Sequence, residues 1–238
     1  IQGESGVNPA TPEFLRAVQA LCDEHDLLLL LDEVQCGFGR TGDTCGWRSI
    51  VPGDEIKPSA ISWAKSIGSG FPLGAFWVRD QEVRSPASPV RNLIHLLGPG
   101  THGTTYGGSP LACAAGLATL GVITRDHLAE HSAEFGRRIA GEVAAWQQPL
   151  ITDIRAFGMM IGFELDEDKL NALESVKASG KPASIWLAAQ LIDDGLLVVP
   201  AGPKVVRWLP PMNLTEAQAT EALQIFHRTL DRILQESC

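Results

Sequence analysis

Residues 62–75 read SWAKSIGSGFPLGA, and the rest of the chain is organised around this stretch. Lys65 directly follows a short, mostly apolar run, residues 61–64, of the kind that forms a β-strand. A turn rich in glycine and proline follows at once. A lysine at a strand end commonly extends into solvent. Beside glycines that let the backbone approach closely, it can instead form a Schiff base with a carbonyl cofactor.

A second stretch, LLLLLDEVQ at residues 27–35, favours the cofactor interpretation. Five leucines that end in a carboxylate predict a strand buried on both faces, as in a parallel sheet. Ligands of open α/β sheets bind at the carboxyl ends of the strands, so we expect Asp32 at the ligand edge. A buried carboxylate needs a partner, and a protonated pyridine nitrogen would provide one. Asp32 facing a ring nitrogen and Lys65 facing an aldehyde are the two groups that pyridoxal phosphate chemistry requires.

Five segments together resemble the class III, fold-type I aminotransferases, and among these the acetylornithine and ornithine aminotransferases. The segments are IQGESGVNPAT (1–11), LLDEVQCGFGRTG (30–42), AKSIGSGFPLGA (64–75), GTHGTTYGGSPLACAAG (100–116) and VVRWLPPMNLT (205–215). The resemblance covers nearly the whole chain, in the family's order. It implies an α/β fold, with the C-terminal part of the cofactor-binding large domain, mostly parallel sheet, in residues 1–125 and a small C-terminal α/β domain in residues 126–238.

The resemblance also implies which residues bind the cofactor. Lys65 and Asp32 are the catalytic pair, with Asp32 on the pyridine nitrogen. Val34 is expected against the ring face and Gln35 near the ring hydroxyl. Glu33 belongs to the same cofactor-binding segment, although the residues themselves suggest no specific role for it.

Other segments are expected to contribute the phosphate and substrate contacts. In the resembled enzymes, the loop at residues 100–110 crosses a dimer interface, so Thr105 would donate to the phosphate in the neighbouring subunit of a homodimer. Thr104 would lie near the substrate. Arg207 has apolar neighbours on both sides, and a guanidinium in that setting needs a carboxylate partner. The resemblance makes Glu4 that partner and places both residues at the substrate.

The expected reaction is transamination of N-acetylornithine or a similar ω-amine donor with 2-oxoglutarate as acceptor, as in arginine biosynthesis. Ornithine, succinylornithine and 4-aminobutyrate stay open as donors, because much of the donor pocket lies outside this chain. The chain begins at Ile1 inside a family motif, so we expect the C-terminal portion of an enzyme, inactive alone. Cys36 and Ser109 stand where relatives often carry threonine and asparagine.

Two different functions compete with this interpretation. An apolar strand ending in Asp-Glu also resembles the Walker B strand of P-loop ATPases. The chain has no G-x-x-x-x-G-K-[ST] motif, and an ATPase has no use for the Lys65 segment. The other possibility is a cofactor-free domain kept for oligomerisation, against which the set of Asp32, Lys65 and Thr105 argues.

Composition narrows the partners. The 238 residues carry a net charge of −9, which argues against nucleic acid or an anionic membrane as the main partner. The longest apolar runs are too short to span a bilayer. The five cysteines, at positions 22, 36, 45, 113 and 238, have no metal-ligand spacing, so we predict reduced thiols, a cytoplasmic location and no metal site.

Hydrophobic periodicity predicts the remaining elements. Helices are expected at residues 12–25, 111–123, 129–146, 183–193 and from 215 onward, the last with Thr215 and Gln218 as a capping box. Strands are expected at 61–64, 75–78, 151–155, 160–165, 196–199 and 205–208. We expect an irregular connection at 47–58, a surface segment at 81–98 and a loop at 171–181.

Overall fold

The structure is a computed structural model that describes residues 1–85 and 88–236. The described chain forms two compact units. The Lys65 unit contains residues 10–38 and 44–126, and the Arg207 unit contains residues 1–9, 39–43 and 127 onward. Two short segments from the first part of the chain thus group with the second part. The division into domains 1–125 and 126–238 remains a proposal.

A three-stranded sheet forms the centre of the Lys65 unit. Its strands, in spatial order, are β1 (Leu30–Asp32), β2 (Ala60–Trp63) and β3 (Ala75–Val78). β1 and β2 are parallel, with Asp32 opposite Ser62, and β3 is antiparallel to β2. The parallel pair brings the carboxyl ends of β1 and β2 to the same edge, which is the arrangement that the leucine run and the Lys65 stretch predicted.

The leucine run is less buried than its sequence predicts. Only Leu30 and Leu31 belong to the strand, and Leu27 and Leu30 are 56% and 58% exposed. Among the described residues β1 pairs only with β2, so its outer edge and part of both faces stay open. The expectation of a strand buried on both faces is therefore wrong for the chain as described.

Polar caps begin the helices of the Lys65 unit, which are α1 (Pro12–Glu24), α2 (Leu93–Leu96) and α3 (Pro110–Arg125). Thr11 caps α1 by accepting from the Phe14 N–H, 3.1 Å away. Ser109 caps α3 in the same way, accepting from the Ala112 N–H. Serine and asparagine are both favoured caps, so Ser109 preserves the start of the helix.

The segment at 81–98 contains more regular structure than expected. Strands β4 (Glu82–Ser85) and β5 (Ser88–Asn92) pair antiparallel, and α2 follows directly. Backbone pairing forms this hairpin without an alternating apolar pattern, which is why periodicity missed it. The connection at 47–58 is irregular as predicted, apart from one 3₁₀ turn at Gly46–Ser49.

The Arg207 unit is built on a four-stranded antiparallel sheet in the order β6-β7-β9-β8. Its strands are β6 (Ile151–Phe157), β7 (Met160–Leu165), β8 (Val199–Pro200) and β9 (Val205–Trp208). Its helices are α4 (Leu128–Ala145), α5 (Glu167–Ala172), α6 (Glu174–Ser179), α7 (Ala183–Asp193) and α8 (Glu216–Gln235). The capping box of Thr215 and Gln218 is confirmed at the start of α8.

One face of this sheet carries the core of the unit. Phe163 of β7, Trp208 of β9 and Phe226 of α8 form an aromatic cluster with ring centroids 5.0–5.2 Å apart. Aromatic pairs at such distances stabilise a core beyond their buried area. The opposite face is therefore available to other segments of the unit.

Two predictions for this unit are wrong. The segment at 171–181 is mostly helical in α5 and α6, because the buried side chains of Leu170, Leu173 and Val176 pack into the core. β8 covers only Val199–Pro200 instead of 196–199. At 171–181 tertiary packing decided the local structure.

Three observations bear on the remaining predictions. No helix among residues 1–85 and 88–236 is long and apolar enough to cross a membrane. No cluster of potential metal-ligating side chains occurs in the same described residues. The four cysteines of the described chain occur as thiols, whereas Cys238 lies outside the described residues.

Candidate active site

The two predicted catalytic residues lie at the same edge of the sheet. Asp32 is the last residue of β1, and Lys65 follows the end of β2 after one intervening residue. Because the two strands are parallel, their carboxyl ends meet at this edge. Both side chains are exposed there and can reach a ligand.

The backbone at Lys65 is strained. Lys65 has a φ of +53° and begins a 3₁₀ turn, Lys65–Gly68. The residue after this turn, Ser69, also has a positive φ, +45°. Positive φ values are uncommon for residues other than glycine, and such strain persists where the surrounding structure holds it. The buried Ile67 and Gly68 hold this turn, and a Cβ on Gly68 would lie 3.2 Å from Leu73 Cβ. Backbone strain of this kind is typical of functional sites, so the conformation of Lys65 supports a functional role independently of the sequence motif.

Asp32 and Glu33, successive residues at the end of β1, have opposite environments. Asp32 Oδ1 accepts a local hydrogen bond from the Val34 N–H at 2.9 Å. Glu33 is 3% exposed, and its two carboxylate oxygens accept from the N–H groups of Gly46 (2.6 Å) and Trp47 (3.2 Å). Glu33 thus anchors a distant turn while Asp32 stays open to a ligand. Sequence reasoning found no role for Glu33, because its partners lie more than ten residues away.

Cys36 lies buried beside this anchor. A Cβ on Gly46 would lie 2.8 Å from Cys36 Cβ, so the close approach requires glycine there. Burial, reinforced by the Glu33 carboxylate, raises the pKa of the Cys36 thiol to about 12. A thiol in this state is unreactive at neutral pH, so Cys36 fills space beneath the site. Val34 and Gln35, between Asp32 and Cys36, are half-buried.

Thr104 and Thr105 lie in an exposed loop before α3. The Gly107 N–H donates to the Thr104 carbonyl at 3.1 Å and forms a turn. The neighbouring Tyr106 is 86% exposed. Thr104 and Thr105 are exposed as well, so their side chains are accessible to solvent.

Glu4 and Arg207, at opposite ends of the chain, belong to the same compact unit. Arg207 lies on β9 and is 8% exposed, whereas the Glu4 side chain is exposed. Burial lowers the pKa of the Arg207 guanidinium below its ordinary value, and attraction from the Glu4 carboxylate acts in the opposite direction. The predicted pair is thus electrostatically coupled.

Arg40, in the turn after the Asp32 segment, has a structural role. Its guanidinium donates to the carbonyl groups of Pro210 and Met159, within the Arg207 unit. Burial lowers the pKa of Arg40. The side chain ties the turn after the Asp32 segment to the end of β9.

A family model described as "Aminotransferase class-III" matches residues 1–230. The chain belongs to the class-III aminotransferase family. This membership excludes the P-loop ATPase interpretation of the leucine strand.

Curated relatives of similar sequence carry the name acetylornithine aminotransferase. That of Caldanaerobacter subterraneus is 35% identical over 99% of this chain and 52% of its own length. That of Bacillus subtilis is 38% identical over 94% of this chain and 50% of its own length. The chain therefore spans about half the length of the relatives it matches.

Solved structures give the same result for the fold. An ornithine aminotransferase from Toxoplasma gondii superposes with a TM-score of 0.81 at 28% identity, covering 100% of this chain and 51% of that one. An acetylornithine aminotransferase from Elizabethkingia anophelis gives a TM-score of 0.78 at 28% identity, covering 98% of this chain and 52% of that one. The α/β fold inferred from the sequence is confirmed.

Proposed function

We propose that this chain carries the catalytic lysine of a pyridoxal-phosphate-dependent aminotransferase. The observation that carries the proposal is the placement of Lys65, on a strained backbone, at the same sheet edge as Asp32. These residues fit the cofactor chemically: a primary amine suits its aldehyde and a carboxylate suits its ring nitrogen. The solved Toxoplasma gondii relative is described with pyridoxal phosphate at its active site, which supports the same cofactor here.

The residues of this chain divide the work. Pyridoxal phosphate supplies an aldehyde that captures amines and a ring that withdraws electrons. Lys65 would hold the aldehyde, and its amine would also serve as the base that moves a proton. Asp32 would keep a proton on the ring nitrogen. Val34 and Gln35 would contact the ring, and Glu33 supports the segment from its buried side.

We propose N-acetylornithine or a similar ω-amine as donor and 2-oxoglutarate as acceptor, in a reaction of the arginine-biosynthesis type. The names of the relatives support this donor class. Ornithine, succinylornithine and 4-aminobutyrate are the alternatives to be compared. The proposal includes a cytoplasmic homodimer in which the exposed Thr105 reaches the cofactor phosphate of the neighbouring subunit and Thr104 lies near the substrate.

Activity is expected to require the half of the relatives that this chain does not span. The test joins the unmatched half of the Bacillus subtilis relative ahead of Ile1, giving a fusion enzyme, and compares it with the chain alone. We expect the fusion enzyme to bind pyridoxal phosphate and to transaminate N-acetylornithine, and the chain alone to bind it weakly without turnover. Spectroscopy of the cofactor and a coupled glutamate assay measure both. Full activity in the chain alone would refute the requirement, and a folded fusion that binds no cofactor would favour an oligomerisation domain.

Glu4 is expected to act as a gate on Arg207. The acceptor's α-carboxylate needs a cation, whereas a donor reacting through its distal amine offers no carboxylate at that place. An open, desolvated arginine would favour the wrong substrate during the donor half-reaction. Glu4 therefore neutralises Arg207 with the donor and moves away with the acceptor.

Glu4→Ala should leave Arg207 open in both half-reactions. Loss of a charge-assisted pair is worth roughly 1.5–3 kcal/mol, so the preference of the fusion enzyme should shift about tenfold to a hundredfold from the ω-amine toward glutamate. Half-reaction rates with each amine, followed at the cofactor absorption band, measure the ratio. Glu142→Ala, which removes an exposed carboxylate from α4, is the matched control. An unchanged ratio in Glu4→Ala would leave Arg207 as a structural residue.

A further inference from the structure

A row of three residues crosses the sheet of the Arg207 unit. Arg155 of β6 lies opposite Gly162 of β7, and Gly162 lies opposite Arg207 of β9. Residues directly opposite each other in paired strands share a face of the sheet. The face is the one opposite the aromatic core, since Phe163 and Trp208 alternate with Gly162 and Arg207. Arg155 and Arg207 therefore flank Gly162 on the face of the sheet that lies opposite the core.

The loop that carries Glu4, residues 3–7, packs onto this face directly over the glycine. A Cβ on Gly162 would lie 3.0 Å from the Gly6 carbonyl oxygen and 3.2 Å from Val7 Cβ. Val205, two residues before Arg207 and hence on the same face, also contacts the loop: a Cβ on Gly6 would lie 3.0 Å from its Cγ2. The loop fills the space that a side chain at position 162 would occupy.

Arg155 clamps the same loop from the other side. Its Nε donates to the Gly6 carbonyl at 3.0 Å, and its Nη1 pairs with Glu164 at 2.6 Å. The second oxygen of Glu164 pairs with Lys204 at 2.6 Å. Because Glu164 is held by two cations, the Arg155 guanidinium has a defined orientation toward the loop.

The backbone of the loop confirms that its surroundings constrain it. Val7 is fully buried and has a φ of +59°, a conformation rare for a β-branched residue. Gly6 has a φ of +124°. Backbone strain of this kind persists only where packing and hydrogen bonds over-determine the segment. Here Gly162, Val205 and Arg155 do so.

We propose that Gly162 and Arg155 are positioning residues that set the place of Glu4 relative to Arg207. The inference rests on the proposed gate formed by Glu4 and Arg207. Glu4 is two residues before Gly6, the point where the loop is clamped, and Arg207 is the direct neighbour of Gly162 across the sheet. A side chain at 162 displaces the loop from this face and opens Arg207. Position 162 thus helps to determine substrate specificity without touching a substrate.

The test measures how accessible Arg207 is in the chain itself, without cofactor. Phenylglyoxal modifies exposed guanidinium groups, and peptide mass spectrometry reports the labelling rate of Arg207 relative to the exposed Arg137. Gly162→Ala should raise this ratio about 5-fold to 150-fold, because overpacking by a methyl group costs roughly 1–3 kcal/mol at 1.36 kcal/mol per tenfold. Glu4→Ala should raise the ratio as well. Gly141→Ala, in open space on α4, is the matched control and should leave it unchanged.

Arg155→Lys is a second test, for use if Gly162→Ala fails to fold. Lysine retains the charge beside Glu164 but lacks the forked donors with which Arg155 also binds the Gly6 carbonyl. The loop should therefore be held less firmly in Arg155→Lys, and the labelling rate of Arg207 should rise. If Gly162→Ala folds and Arg207 is labelled at the wild-type rate, the proposal is overturned. If Gly162→Ala does not fold, a wild-type rate of Arg207 labelling in Arg155→Lys overturns it. If labelling rises as expected but Glu4→Ala keeps the wild-type amine preference, the gate fails and the positioning role stands.

Discussion

Replacing Lys65 with alanine should abolish transamination by the fusion enzyme and leave its fold intact. The variant loses both covalent capture of the cofactor and the base that moves the proton, so turnover should fall by about 10⁴-fold or more. The side chain is exposed at the sheet edge, and its removal leaves no cavity in the core. The absorption band that pyridoxal phosphate shows when joined to a lysine should disappear as well.

Lys57→Ala is the matched control, since Lys57 is an exposed lysine of the same unit. Borohydride reduction in the presence of pyridoxal phosphate, followed by peptide mapping, should label Lys65 in wild type and in the control. Circular dichroism checks that each variant folds. Turnover of Lys65→Ala near the wild-type rate would remove this residue from the mechanism.

Asp32→Asn should have the next largest effect. The amide is nearly isosteric, so the cofactor should still bind, but a neutral group no longer holds the proton on the ring nitrogen. We expect the rate to fall about a hundredfold to a thousandfold, the range found when one preorganised electrostatic group is removed. Steady-state rates and cofactor affinity, measured on the same fusion enzyme, separate the two effects.

Asp26→Asn provides the comparison for Asp32→Asn. Asp26 is an exposed carboxylate of the same unit in a left-handed turn, a conformation that asparagine also tolerates. It should retain full activity and cofactor binding. A rate for Asp32→Asn within a few-fold of this control would contradict the assigned role.

Elements with strong local signals were predicted well. β7 and α7 have the predicted bounds, and the cap of α8 has the predicted residues. The segments at 81–98 and 171–181 were missed, because their structure depends on backbone pairing or on burial against distant elements. The leucine run predicted the position of a strand correctly but not its burial, since burial depends on which neighbours cover it.

The sequence by itself predicted the two groups that lie at the sheet edge. Lys65 before a glycine-rich turn and Asp32 at the end of an apolar run are local patterns, and two parallel strands bring such ends together. Only the tertiary structure showed that Glu33 binds the backbone of Gly46 and Trp47, and that Gly162 lies in a row between two arginines. Local preferences act over a few residues, whereas strand register and the packing of a distant loop depend on the whole fold. The groups proposed to do the chemistry were therefore visible in the sequence, and the groups that hold them in place were not.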